Sequence, residues 1–133
     1  MTAFDEILEV VKGEHAVAAR NVPGTLQVFA THFPRFPVLP GVLILDDIVR
    51  AARLAAPELP EGFRWALGAA RRVRYRHFAE PGDRLEISVE VIETTASSVT
   101  VKARVSVAGR DITTVRGLRL DKLAEPDKSE VAA

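Results

Sequence analysis

The chain has 133 residues, enough for one domain with a buried core. Hydrophobic residues make up 47% and charged residues 27%, ordinary values for a globular protein that exclude a disordered or fibrous chain; 18 Lys and Arg balance 18 Asp and Glu, so net charge offers no global attraction to nucleic acid or an anionic membrane. With no cysteine in the sequence, disulfides, thiolate metal sites and a thiol nucleophile are excluded, and chemistry must come from other side chains.

The N-terminal stretch MTAFDEILEVVKGEH carries acids where a signal peptide needs basic residues. No apolar run in the sequence approaches the roughly 20 residues that span a bilayer, and a cytoplasmic location is the expectation. Phe4, Ile7, Leu8 and Val11 recur at helical spacing, with Asp5 and Glu6 near the positive end of the dipole, which predicts a short amphipathic helix over 3–12. HAVAARNV, from His15 to Val22, reads as a strand closed by the turn residues Pro23 and Gly24. Pro34, Pro37, Pro40 and Gly41 then punctuate an extended segment, and the Pro-Gly pair places a helix start near Pro40. VLILDDIVRAARLA, from Val42 to Ala55, is apolar almost all round at its start and amphipathic later, as expected of a helix surrounded by protein and ended by Pro57 and Pro60.

Beyond Pro60 the period changes from 3.6 to 2. A long strand is predicted over 64–77, and the turn EPGD leads to a second strand in which Leu85, Ile87, Val89 and Val91 alternate with Glu86, Ser88 and Glu90. SVTVKARVSVAG repeats that pattern, and AGRD turns it into DITTVRGLRL. The expected class is α+β, with a helix, a strand, an extended loop, one buried helix and a four-stranded antiparallel meander. One helix cannot cover both faces of such a sheet, so the sheet should curl around the helix and a second subunit should cover the rest, with open strand edges continuing across a dimer. The expected domain spans 1–120; the tail over 121–133 has little to bury and is expected to be disordered.

The stretch HFPRFPVLPGVLILDDIV resembles the β-hydroxyacyl-acyl carrier protein dehydratases of the FabA/FabZ type, whose signature runs HFPGxPVMPGVLxLE/DAMxQ. His32, Phe33, Pro34, Pro37, Val38, Pro40, Gly41, Val42, Leu43, Leu45 and Asp46 match it in register. HAVAARNV and RVRYRHFAEPGDRLEISVEV extend the similarity over about residues 14–120. The resemblance implies a hot-dog fold, a curved antiparallel sheet wrapped around one long central helix, and a dimer in which His32 of one subunit faces Asp46 of the other. It also implies a cytoplasmic enzyme of fatty-acid or polyketide-type biosynthesis acting on thioesters of acyl carrier protein or CoA. No metal or other cofactor is implied beyond the phosphopantetheine that carries the substrate.

Dehydrating a 3-hydroxyacyl thioester requires a base for the C2 proton, an acid for the C3 hydroxyl and stabilisation of an enolate-like oxygen. His32 is the expected base, since imidazole titrates near neutrality, and Asp46, in an apolar run, the expected acid. The Gly41 N–H at the helix start is the expected donor to the thioester carbonyl, and its missing side chain lets substrate approach. Phe33, Val38, Leu39 and Leu43 are the expected lining of the acyl channel, with Arg50 beside it. Asp47, about 100° away around the helix, is expected at the surface, solvated or salt-bridged.

Two departures from the signature bear on the chemistry. Arg35 replaces its glycine and narrows the loop; Arg50 replaces its glutamine, four residues after Asp46 on the same helical face, where a bond to Asp46 favours the ionised acid. The run RRVRYRH places Arg72, Arg74 and Arg76 on one strand face with Arg71 beside them, either a solvated face or a docking patch for an acidic carrier protein and its phosphopantetheine phosphate. His15 and His77 have no acid at a telling spacing and are expected to be structural, and three scattered histidines supply no metal-ligand pattern. Two alternatives stand beside a homodimeric dehydratase: a non-catalytic or half-catalytic subunit paired with a related chain, and a hot-dog acyl thioesterase.

Overall fold

The computed structural model describes residues 4–23, 39 and 41–126. Six strands and one helix follow one another as β1 (Glu6–Val11), β2 (His15–Asn21), α1 (Gly41–Ala55), β3 (Phe63–Tyr75), β4 (Arg84–Thr94), β5 (Ser98–Val107) and β6 (Arg110–Ala124). All strands join one antiparallel sheet in the order β1-β2-β4-β5-β6-β3. The period-2 pattern explains the inner face of β4 and β5, where Leu85, Ile87 and Val89 and then Val99, Val101 and Val105 are buried; on β6, Val115, Leu118 and Leu120 reach the same face because the β5–β6 register slips between Val101 and Ala103.

Helix α1 lies against that inner face and touches all six strands, nearest to β2 and β4. Ile44, Ile48, Val49, Ala51, Ala52 and Ala55 form its buried stripe. Beyond its end, Trp65 closes the core from β3, donating its indole N–H to the Pro57 carbonyl at 3.0 Å. No described helix is long and apolar enough to cross a membrane.

The structure corrects three expectations. Residues 6–11 form a strand instead of the expected amphipathic helix: β1 pairs with β2 through a hairpin over Lys12–Gly13–Glu14, with Gly13 at φ 82°. Apolar residues at 4, 7, 8 and 11 fit a helix, but β-branched Ile7, Val10 and Val11 suit a strand equally, and the unpaired backbone edge of β2 decides between them. The four-stranded meander is only three-stranded. β4, β5 and β6 run in sequence, whereas β3 crosses to the far side and pairs with β6, leaving β2 beside β4. Finally, β6 continues through Ala124, because Asp121 and Lys122 pair with Ser98, Ala66 and Trp65, so the boundary expected at 120 falls inside a strand; residues 127–133 lie outside those described.

Candidate active site

The α1 N-terminus, left without intrahelical partners for its first N–H groups, is the polar centre around which the expected site is built. Gly41 opens the helix. Against it lies Tyr75, the last residue of β3, whose hydroxyl donates to the Gly41 carbonyl at 3.1 Å. A Cβ on residue 41 would stand 2.8 Å from the ring carbons of Tyr75. A side chain at this position would therefore have to displace the Tyr75 ring. Burial raises the Tyr75 hydroxyl above its ordinary pKa of 10.0, so it stays a donor at neutral pH.

Among the described residues, three exposed apolar residues lie near this point. Val42 follows Gly41, Tyr75 packs on it, and Phe78 precedes Ala79, which holds Leu39 through a backbone bond of 2.7 Å. Leu39 itself is buried in the core and packs with it, while Leu43 is half-buried at the edge of the same cluster. The expected channel lining is thus divided: Leu39 serves the core, and the apolar side chains open to solvent are Val42, Tyr75 and Phe78. His32, Phe33, Arg35 and Val38 lie outside the described residues.

The two acids exchange the surroundings expected of them. Asp46, expected to be buried, keeps 49% of its side chain exposed in the single chain and accepts a bond from Arg50 Nε at 3.0 Å, one helical turn on. Asp47, expected at the surface, is fully buried. Arg20, at the end of β2 on the same sheet face as Ala16 and Ala18, aims its Nε at both Asp47 oxygens, at 3.0 and 2.9 Å. The Phe4 ring lies 5.4 Å from the guanidinium carbon of Arg20, which is itself buried. Loss of hydration raises the Asp47 pKa, outweighing the opposing pull of Arg20. Asp47 and Arg20 were missed because composition tells nothing of which way a helix faces; the available signal was Arg20 itself, a lone charge at a core-facing register position of an alanine-rich strand.

The arginine run is also rearranged. Arg71, Arg72, Arg74 and Arg76 are all exposed, but Arg72 takes a left-handed φ of 54° that breaks the strand alternation. Arg71 and Arg72 consequently line one shallow depression on the outer sheet face together with Thr100, Arg116 and Arg119. Arg74 and Arg76 flank Tyr75 instead, near the helix N-terminus. His15 does have an acidic partner after all, Glu9 at 2.8 Å across the β1–β2 hairpin.

Similarity to known proteins decides the family. The family model described as ApeI-like, ApeI dehydratase, matches residues 9–113. A 3-hydroxyacyl-[acyl-carrier-protein] dehydratase FabZ of Enterococcus faecalis is 37% identical over 111 residues, covering 82% of this chain and 79% of the relative. The chain belongs to the ApeI-like dehydratases. It is thereby a FabA/FabZ-type hot-dog dehydratase, an enzyme of the 3-hydroxyacyl hydro-lyase class. Two solved structures share the fold at low identity. A Streptococcus mutans protein bound to acetyl CoA superposes with a TM-score of 0.73 at 13% identity, covering 96% of this chain and 94% of its own. The dehydratase heterocomplex ApeI:P of Xenorhabdus doucetiae gives 0.70 at 19% identity over 90% of this chain and 96% of its own.

Proposed function

We propose that this dehydratase converts 3-hydroxyacyl thioesters borne on acyl carrier protein into trans-2-enoyl thioesters, in a cytoplasmic pathway of fatty-acid or polyketide-type synthesis. The sheet curls around α1, one domain runs through the end of β6 at Ala124, and two chains pair through the open edge of β3. His32 of one subunit takes the C2 proton. The C–H electron pair forms the C2–C3 double bond, the C3 hydroxyl leaves as water with a proton from Asp46 of the other subunit, and the Gly41 N–H holds the enolate-like oxygen meanwhile. His32 and Asp46 then exchange a proton through solvent to restore the resting state. The acyl chain rides on phosphopantetheine, and Arg71, Arg72, Arg74 and Arg76 dock its carrier.

One observation carries this reading: Asp46 stands on the solvent-facing side of α1, five residues and about 7.5 Å along the axis from Gly41. A partner subunit can reach it there. Loss of water from 3-hydroxyacyl carrier protein and from the CoA analogue, followed by mass, tests the proposal. His32→Ala and Asp46→Asn should each slow turnover by about 100-fold or more; both variants matching wild type would refute the assignment.

The Arg50–Asp46 bond supports a second reading, in which this chain is a half-catalytic subunit that pairs with a related one. Arg50 must leave the carboxyl before it can donate a proton. Arg50→Gln should raise turnover by the chain alone if the bond restrains Asp46, and turnover that appears only on adding a related subunit would favour the second reading.

A further inference from the structure

Helix α1 meets β2 across a seam of small side chains. Ala51, Ala52 and Ala55 on the helix and Ala16 and Ala18 on the strand are completely buried. Side chains that end at Cβ allow close approach but interlock little, so this seam resists rotation of the helix about its own axis less than one of interdigitating large residues. Among the described residues one side-chain pair crosses it, Arg20–Asp47, while at the C-terminal end of the helix the Gly13 N–H of the β1–β2 hairpin donates to the Ala55 carbonyl at 2.7 Å. A buried ion pair adds little net stability over apolar residues of equal volume, but its geometry is specific. Asp46 is the adjacent residue, about 100° around the helix, so whatever orients Asp47 orients Asp46 as well. The dehydratase signature carries alanine after its acid, and Asp47 departs from it.

We propose that Arg20 and Asp47 are positioning residues: their buried ion pair sets the rotation of α1 and so the direction in which Asp46 meets the substrate. The inference rests on Asp46 acting as the acid of the proposed reaction.

Steady-state dehydration of a 3-hydroxyacyl-CoA by the full chain tests it. The apolar double variant Arg20→Met/Asp47→Leu should fold and melt cooperatively yet lose about tenfold or more in kcat, with KM within about twofold of wild type. Asp47→Glu keeps both charges but lengthens one arm by a methylene, and should lower kcat in the same way. Arg20→Lys, which preserves a charged donor, should recover more turnover than Arg20→Met alone. A double variant with wild-type kcat overturns the proposal, as does a loss confined to KM. If the double variant does not fold, unchanged kcat in Asp47→Glu overturns it instead. Controls separate the two failures. An inactive wild type, or Asp46→Asn as fast as wild type, defeats the site reading and this inference with it; a slow Asp46→Asn beside a fast double variant defeats the inference alone.

Discussion

Gly41 and Tyr75 make one contact that neither residue explains alone. The ring occupies the space a Cβ would need, and the hydroxyl ties the first carbonyl of α1 to the end of β3. Gly41→Ala should therefore cost about 1–3 kcal/mol through overpacking, measured by chemical unfolding, and most of that cost should vanish in a Tyr75→Ala background. Equal costs in both backgrounds would show that the ring is not the obstacle. At this scale the sequence spoke unevenly. Gly41 and Asp46 were legible because a dense motif surrounds them, whereas Tyr75 was not, since it meets Gly41 only when a strand 34 residues later arrives beside it. Asp46 and Asp47 were both visible, but which faces water depends on how α1 rotates against the sheet, and two adjacent identical residues offer no local clue.

Helix α1 is where the charges are spent. Asp47 lies in the core with Arg20, and Asp46 sits outside with Arg50. Removing one member of the inner pair strands a buried charge, so Arg20→Met or Asp47→Leu alone should destabilise by about 3–5 kcal/mol, while the double variant should be neutral or more stable by about 1–4 kcal/mol. The pH dependence has a definite sign. Burial raises the folded Asp47 pKa above its ordinary 3.8, so between that value and the folded pKa the native chain holds more protons than the unfolded one, and stability falls as pH rises. Wild type should accordingly lose ground to the double variant as the pH of the denaturation series climbs from about 4; a constant difference would contradict the shift. The other elements were readable to differing degrees. Strands β4 and β5 show clear alternation and were plain, β6 keeps the pattern only across register slips that put its buried Ile112, Val115, Leu118 and Leu120 at uneven spacing, and β1 is six residues whose apolar spacing suits either period, its state decided by pairing with β2.

For the whole molecule, the expected sharing of each site between two chains has a direct test. Mixing His32→Ala and Asp46→Asn chains after unfolding and refolding them together should restore about one quarter of wild-type activity, since half the dimers are mixed and each mixed dimer holds one intact site. No recovery would mean that both groups act within one chain. Carrier docking belongs to this scale too. Arg74→Glu/Arg76→Glu should raise KM for the carrier-bound substrate about tenfold and leave that for the CoA analogue unchanged, measured at low and high salt. The overall topology was the least legible level: a local pattern announces β3 but not that it crosses to pair with β6.

Among the described residues the sheet ends in two unpaired rims, β1 and β3. On β1 the register slips by one residue between Ile7 and Glu9, and Glu6 and Glu9 place carboxylates along the same short strand. An extra residue bends a rim, and Glu6 and Glu9 there are held by Arg84 and His15, so this edge is a poor template for lateral accretion of chains. If two chains pair through β3 as proposed, growth from that rim alone would close after two copies instead of polymerising into a ribbon.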